Sequence, residues 1–346
     1  MAVHIALRCD ARPETGTGHV VRCLALGDEL TARGARVSLF GEISQVPWLE
    51  EQIARRELPV LAAPQNPDAL ADLARAEAVQ AVVLDGYLLD PGCGKALRQR
   101  GITVLSVLDE TFGGGQDADL YLDQNFGAQP RPDVGPAVQL LGLDYALFRD
   151  EVLRHRPRAP RTAAELPLNV LAVFGGTDPY AAALVVVPLM LDVGMPVRIV
   201  AVAARRELAQ ALAEMPTGPG QRVEVLTPTP DLAAVAATCD LAVTAAGSSV
   251  WEFLCLGLPS LVVCVVDNQR AGYDVVTTRG LAEPFGQLSE LREDPAARKA
   301  ATVVLAGLLD DPVRRASLSR RGMALVDGKG RARVADALLG AVTGRG

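Results

Sequence analysis

The sequence predicts an α/β protein of two doubly wound halves, each built on a parallel sheet. Three observations carry that prediction. Short β-branched runs alternate with helical patterns along the chain, the signature of strands covered on both faces. The alternation runs twice, interrupted by a proline- and arginine-rich stretch at 154–167. Each half also opens on a strand that leads into a glycine-rich turn, Thr15-Gly16-Thr17-Gly18 in one and Gly175-Gly176-Thr177 in the other.

In the first half, strands are expected at 3–7, 36–40, 81–84, 102–107 and 120–122. Helices fall between them near 19–33, 47–56, 67–77 and 91–100. In the second half, strands are expected at 168–174, 196–203, 222–226, 240–244 and 260–266. The helices lie near 179–193, 205–214, 231–238, 249–257 and 269–279. A helical tail follows over 294–344, with breaks near Asp311-Pro312 and Asp327-Gly328. The domains are therefore read as 1–153, a linker at 154–167, and 168–346 with its tail.

Composition narrows the function classes. The 346 residues are 49% hydrophobic and 22% charged, which suits a packed globular chain. Aromatics are only 4%, so Ala, Val and Leu must fill the core. The basic residues number 34 and the acidic 41, a net charge of −7 that argues against a nucleic-acid partner. The six cysteines form no Cys-x-x-Cys pair, and buried free thiols in a cytoplasmic protein are expected. The start reads as a strand rather than a signal peptide, and no apolar run is long enough to insert in a membrane. No metal-binding cluster and no G-x-x-x-x-G-K-[ST] loop occurs.

Three turns carry the candidate chemistry. His19 follows Gly18 at the start of the first long helix, where a histidine suits a general base or a phosphate contact; a surface histidine beside a glycine turn is the alternative. Gly175-Gly176-Thr177-Asp178-Pro179 reads either as a glycine-rich wall facing a nucleotide or as a helix start capped by Asp178, with Pro179 first in the helix. Gly247-Ser248-Ser249 with Glu252 reads as a diphosphate and ribose site or, equally, as a capping box. Asn268 and Gln269 directly follow the next strand at the same edge. On the first half, Asp85-Gly86-Tyr87, Asp109-Glu110 and Asp123-Gln124-Asn125 each follow a strand and can line a sugar site or form turns.

Taken together, the motifs resemble a known family. They are Arg8-Cys9-Asp10, Thr15-Gly-Thr-Gly-His19-Val-Val-Arg22, Gly142-Leu-Asp-Tyr-Ala-Leu-Phe-Arg149, Gly175-Gly-Thr-Asp178 and Ser248-Ser-Val-Trp-Glu252. The chain is similar to the UDP-2,4-diacetamido-2,4,6-trideoxy-β-L-altropyranose hydrolases of pseudaminic acid biosynthesis and to spore coat polysaccharide proteins. These are similar in turn to lipid II N-acetylglucosaminyltransferases of the GT-B fold. The resemblance implies two Rossmann-like domains facing across a cleft and a UDP-sugar substrate cleaved at C1 by water with inversion. It implies His19 as the base and Glu252 as a nucleotide contact; Asp10, Gly18, Arg22, Tyr87 and Asn125 are read as the sugar-side residues. UDP would meet Gly175, Gly176, Thr177, Gly247, Ser248, Ser249, Glu252, Asn268 and Gln269. No metal or organic cofactor is implied. The alternative is a GT-B glycosyltransferase using the same UDP site with a saccharide acceptor. A UDP-N-acetylglucosamine 2-epimerase-like enzyme and a non-catalytic UDP-sugar-binding module are more distant rivals. The loops after Asp85 and Asp109 depart from the family pattern, so the particular sugar is not implied; nor does the sequence give the oligomeric state.

Overall fold

The computed structural model describes residues 2–11, 17–44, 46–108, 115–162, 164–229 and 231–344. The chain forms two compact units, Met1–Asp150 with Gly328–Gly346, and Glu151–Asp327. No described helix is long and apolar enough to cross a membrane.

The first unit holds β1 (His4–Arg8), α1 (Gly18–Ala32), β2 (Arg36–Phe40), α2 (Pro47–Arg55), β3 (Val60–Leu61), α3 (Pro67–Ala76), β4 (Ala81–Leu84), α4 (Cys93–Gln99), β5 (Thr103–Val107), β6 (Leu120–Asp123) and β7 (Val138–Leu141). The strands form one sheet in the order β3-β2-β1-β4-β5-β6-β7. All described pairings in it are parallel. Residues on alternate sides of each strand feed two separate cores. Ile5 and Leu7 pack with Leu24, Leu26 and Leu30 of α1 and with Leu49 and Ile53 of α2. Ala6, Val82 and Leu84 face Leu70 and Ala74 of α3 and Leu97 of α4 on the other side. Helices therefore diverge to opposite faces where the strand order reverses, between β1 and β4. That reversal leaves a crevice at the C-terminal ends of those strands, the usual ligand position in such sheets.

The second unit repeats the plan. It runs through α5 (Asp150–His155), β8 (Leu168–Val173), α6 (Ala183–Asp192), β9 (Val197–Val202), α7 (Arg206–Ala213), β10 (Gln221–Leu226), α8 (Leu232–Ala237), β11 (Leu241–Ala245), α9 (Ser249–Cys255), β12 (Ser260–Cys264), α10 (Arg270–Thr278), β13 (Glu283–Gln287), α11 (Leu288–Glu293), α12 (Pro295–Asp310) and α13 (Pro312–Leu325). Its sheet has the order β10-β9-β8-β11-β12-β13 and reverses between β8 and β11. The last helix, α14 (Gly330–Thr343), closes the chain.

Every strand expected from the sequence is present. The three that the pattern missed are β3, β7 and β13, all at sheet edges. Edge strands need no continuous apolar run. β13 also carries Pro284 and Gly286, and the ladder slips between Val262 and Val263 to accommodate it.

Two boundaries differ from expectation. The stretch at 154–167 is bound to the second unit rather than acting as a free linker. Arg156 donates to the carbonyls of Cys255 (2.5 Å) and Val326 (2.6 Å), and Arg161 to those of Cys239 (2.5 Å) and Ala236 (3.2 Å). Each guanidinium supplies donors to orphan carbonyls at helix C-termini, where a cation also suits the dipole. The tail is divided as well. α12 and α13 stay with the second unit, whereas α14 belongs to the first, because Val334, Ala335 and Leu338 are fully buried in the α1 core. Arg331 pairs with Glu29 (3.2 Å) and Asp150 (2.5 Å), and Arg33 pairs with Asp336. A side chain at Gly330 would meet the backbone of Ala146 at 2.3 Å, so only glycine allows that close approach.

Candidate functional site

Asp85 follows β4 directly and is wholly buried at the β1/β4 reversal. An isolated buried carboxylate is strongly unfavourable, and three side chains compensate it here. Arg22 donates twice, Nε to Oδ2 and Nη2 to Oδ1, both at 2.6 Å. His19 Nδ1 lies 2.7 Å from Oδ1. The Cys23 thiol approaches Oδ2 at 3.6 Å. Helical spacing explains the grouping, because His19, Arg22 and Cys23 sit three and four residues apart on one face of α1. Burial works to raise the Asp85 pKa. The charge and hydrogen bonds of Arg22, and then those of His19, override it and hold the carboxyl below the ordinary aspartate value.

Arg22 Nη2 also lies 3.2 Å from His19 Nδ1. An ionised carboxylate can only accept, so Asp85 Oδ1, at 2.7 Å from the same nitrogen, favours the tautomer with the proton on Nδ1 and the lone pair on Nε2. That is the base-and-orienter arrangement of nucleophilic and acid–base sites. Tyr87 stacks edge-on against the same ring, with centroids 4.6 Å apart at 90°, and is itself 52% exposed. His19 is only 6% exposed, so it is not the surface histidine of the alternative reading. The other two histidines differ. His4 spends both nitrogens on structure, facing the Glu77 carbonyl and the Ser38 hydroxyl at 2.9 Å each. His155 is partly exposed, with Nε2 3.6 Å from Asp231. The Cys23 thiol is held well above its ordinary pKa by the Cys9 hydrogen bond and by burial, so it is a packing group and not a nucleophile.

Asp85 is the residue whose weight sequence reasoning underestimated. Only its place after a buried strand pointed to it, alongside Asp109 and Asp123. Asp10 has local partners, Arg8 Nη1 at 2.8 Å and the Glu42 amide at 2.8 Å. Gly18 opens α1, and a Cβ there would meet nothing within 4 Å. Asn125 follows β6, two strands from β4 and so about 10 Å along the edge; its amide bonds Asp123 at 3.0 Å. Thr15, Gly16, Asp109 and Glu110 lie outside the described residues.

The second unit's loops gather at its own reversal. Gly175, Gly176 and Thr177 follow β8, and Gly247 and Ser248 follow the adjacent β11. Space lies open above Gly175 and Gly176, where a Cβ would meet nothing within 4 Å. Gln269 Nε2 stands 3.7 Å from the Cβ position of Gly247, so the structure brings those two loops together. Asn268 sits in the same exposed turn. The capping box is not formed: Ser249 is already helical, and the N-cap Ser248 makes no side-chain cap bond. Glu252 lies one turn into α9.

Asp178 does cap a helix, but not as the spacing suggested. α6 begins at Ala183, and Pro179 lies outside it. The Asp178 carboxylate reaches forward to the amides of Ala182 (2.8 Å) and Ala183 (2.9 Å). The intervening turn holds Asp178 at φ 43° and Ala181 at φ 50°.

No family model matches the chain. It is 24% identical over 365 residues to the spore coat polysaccharide biosynthesis protein SpsG of Bacillus subtilis, covering 96% of each chain. Among solved structures it superposes on MurG of Acinetobacter baumannii with a TM-score of 0.67 at 18% identity, over 97% of this chain and 99% of that one. The fold is GT-B. Arabidopsis thaliana UGT89C1 complexed with UDP-L-rhamnose matches with a TM-score of 0.64 at 15% identity, over 100% of this chain and 99% of that one. The chain is thus similar along its length to a spore coat polysaccharide protein, and glycosyltransferases are among its structural neighbours.

Proposed function

We propose that this chain is an inverting glycosyltransferase that uses a UDP-sugar, with His19 as base. The observation that carries the reading is the His19–Asp85 pair at the reversal of the first sheet, in a fold shared with a protein complexed with UDP-L-rhamnose. The roles divide between the units. Gly175–Thr177, Gly247–Ser249, Glu252, Asn268 and Gln269 hold the nucleotide. His19 Nε2 takes the proton of the acceptor hydroxyl as its oxygen bonds to C1. As that bond forms on one face of C1, the C1–O bond to the UDP phosphate breaks on the other, and its electron pair leaves with UDP. Asp85 stabilises the imidazolium that forms, and Arg22 keeps Asp85 ionised. UDP is a good leaving group, so positioning and proton removal supply the catalysis.

A second reading has water as the acceptor, a hydrolase of UDP-diacetamido-trideoxyhexoses. The burial of His19 beneath Tyr87 favours it, because a small nucleophile fits such a base better than a saccharide does. One assay separates the two. UDP release from a panel of UDP-amino sugars is followed with and without saccharide acceptors. Release only with acceptor supports transfer, and release in water alone supports hydrolysis. No release from any UDP-sugar under either condition refutes both.

A further inference from the structure

We propose that Arg205 is the cation that binds the diphosphate of the nucleotide, a role that rests on the UDP-sugar reading above. A UDP-sugar brings two negative charges to the C-terminal edge of the second sheet. The loops that follow β8, β9, β10, β11 and β12 at that edge, 174–182, 203–205, 227–231, 246–248 and 265–269, contain one basic residue between them, Arg205. They contain three aspartates, Asp178, Asp231 and Asp267.

The β8 loop needs that cation most. Its helix, α6, offers little to an anion, because the buried Asp178 carboxylate already occupies the amides of Ala182 and Ala183. The same carboxylate adds a negative charge to the loop, two residues after Gly176. Arg205 answers it. Its backbone is extended (φ −94°, ψ 132°) just before α7, and its side chain crosses to the neighbouring loop, where Nη2 donates to the Asp178 carbonyl at 2.9 Å. One bond fixes the guanidinium against the glycine loop and leaves its remaining donors for phosphate oxygens, the geometry in which arginine binds phosphate best. Other basic residues around these loops are placed differently. Arg292 of α11 also reaches the β8 loop, but at the Tyr180 carbonyl, two residues beyond Asp178 and away from the glycines. Arg206 begins α7 itself, and Arg270 begins α10 and donates to Gln287.

The test is calorimetric titration of the full chain with UDP and with UMP, which share a uridine and differ in one phosphate. Wild type is expected to bind UDP more tightly than UMP. In Arg205→Gln, UDP binding falls about 10- to 100-fold while UMP changes several-fold at most, so the UDP/UMP preference collapses. Arg205→Lys keeps part of that preference, and Arg206→Gln leaves it intact. An equal loss for both nucleotides in Arg205→Gln would show that Arg205 only shapes the loop and would overturn the proposal. Unchanged UDP binding would overturn it too. A wild-type chain that binds neither nucleotide would instead refute the UDP-sugar reading, and this inference with it.

Discussion

Replacing Asp85 by asparagine probes both the chemistry and the packing of the first unit. The carboxylate accepts two bonds from Arg22 at 2.6 Å each and faces His19 Nδ1 at 2.7 Å. Asparagine offers one acceptor oxygen, so Arg22 and His19 compete for it. If the amide NH2 faces His19, the imidazole proton moves to Nε2 and the lone pair leaves the reacting side. Turnover then falls about 10²- to 10⁴-fold, the usual range for losing a positioned base. Breaking a buried charge pair costs about 3–5 kcal/mol. Arg22 is 14% exposed and can regain water, so the lower end, about 3 kcal/mol, is expected. For a unit of this size that lowers the melting temperature by about 6–12 °C. The acid limb supplies a further signature. The Asp85 pKa is lowered in the folded state, so its stabilisation is present above about pH 4 and is lost as the pH falls through the native value. The stability profiles of wild type and Asp85→Asn therefore converge at low pH. UDP-release rates and urea unfolding between pH 3 and pH 8 read all of this. An Asp85→Asn protein with wild-type turnover and an unchanged urea midpoint would refute the dyad.

His19→Ala should lose turnover on the same scale, about 10²- to 10⁴-fold, while its circular dichroism spectrum stays that of wild type; near-normal rates would remove it from the role of base. Burial holds the His4 pKa below its ordinary value, so the folded chain binds fewer protons there than the unfolded one. Its share of stability is complete above about pH 6.5 and is lost as the pH falls below that, and His4→Asn should flatten this part of the urea-midpoint curve. Gly330→Ala forces a methyl to within 2.3 Å of the Ala146 carbonyl and should cost about 1–3 kcal/mol in thermal unfolding; an unchanged melting temperature would contradict the described docking of α14.

What the sequence made legible follows from physics that acts locally. Central strands such as 36–40 and 81–84 are buried on both faces, so their apolar runs announce them and their bounds matched residue for residue. The glycine turns were equally visible, because Gly175 at φ 81° needs a residue without a side chain. The edge strands β3, β7 and β13 were hidden because they are short, half-exposed or broken by Pro and Gly, whereas β10, also at an edge, was legible from its alternation. The start of α6 was misplaced because Asp178 caps through a turn of four residues rather than from the adjacent position. The return of α14 was illegible for a different reason: its apolar face shows that it packs, not which core receives it. Within the site, His19 was legible from its place after Gly18. Its partnership with Asp85, 66 positions further on, depends on β1 and β4 lying side by side, which is a property of the sheet order and of no local stretch.

The homing of α14 onto the opening segment also sets an order of assembly during synthesis. The middle of the chain, 151–327, is continuous and can finish folding once it leaves the ribosome. The leading unit cannot, because Val334, Ala335 and Leu338 complete its interior and are made only after the whole of 151–327. Until then the nascent leading segment carries an unsealed apolar seam along α1. A truncation at 327 would make that exposure permanent, turning the loss of α14 into an aggregation hazard for α1, some three hundred positions upstream.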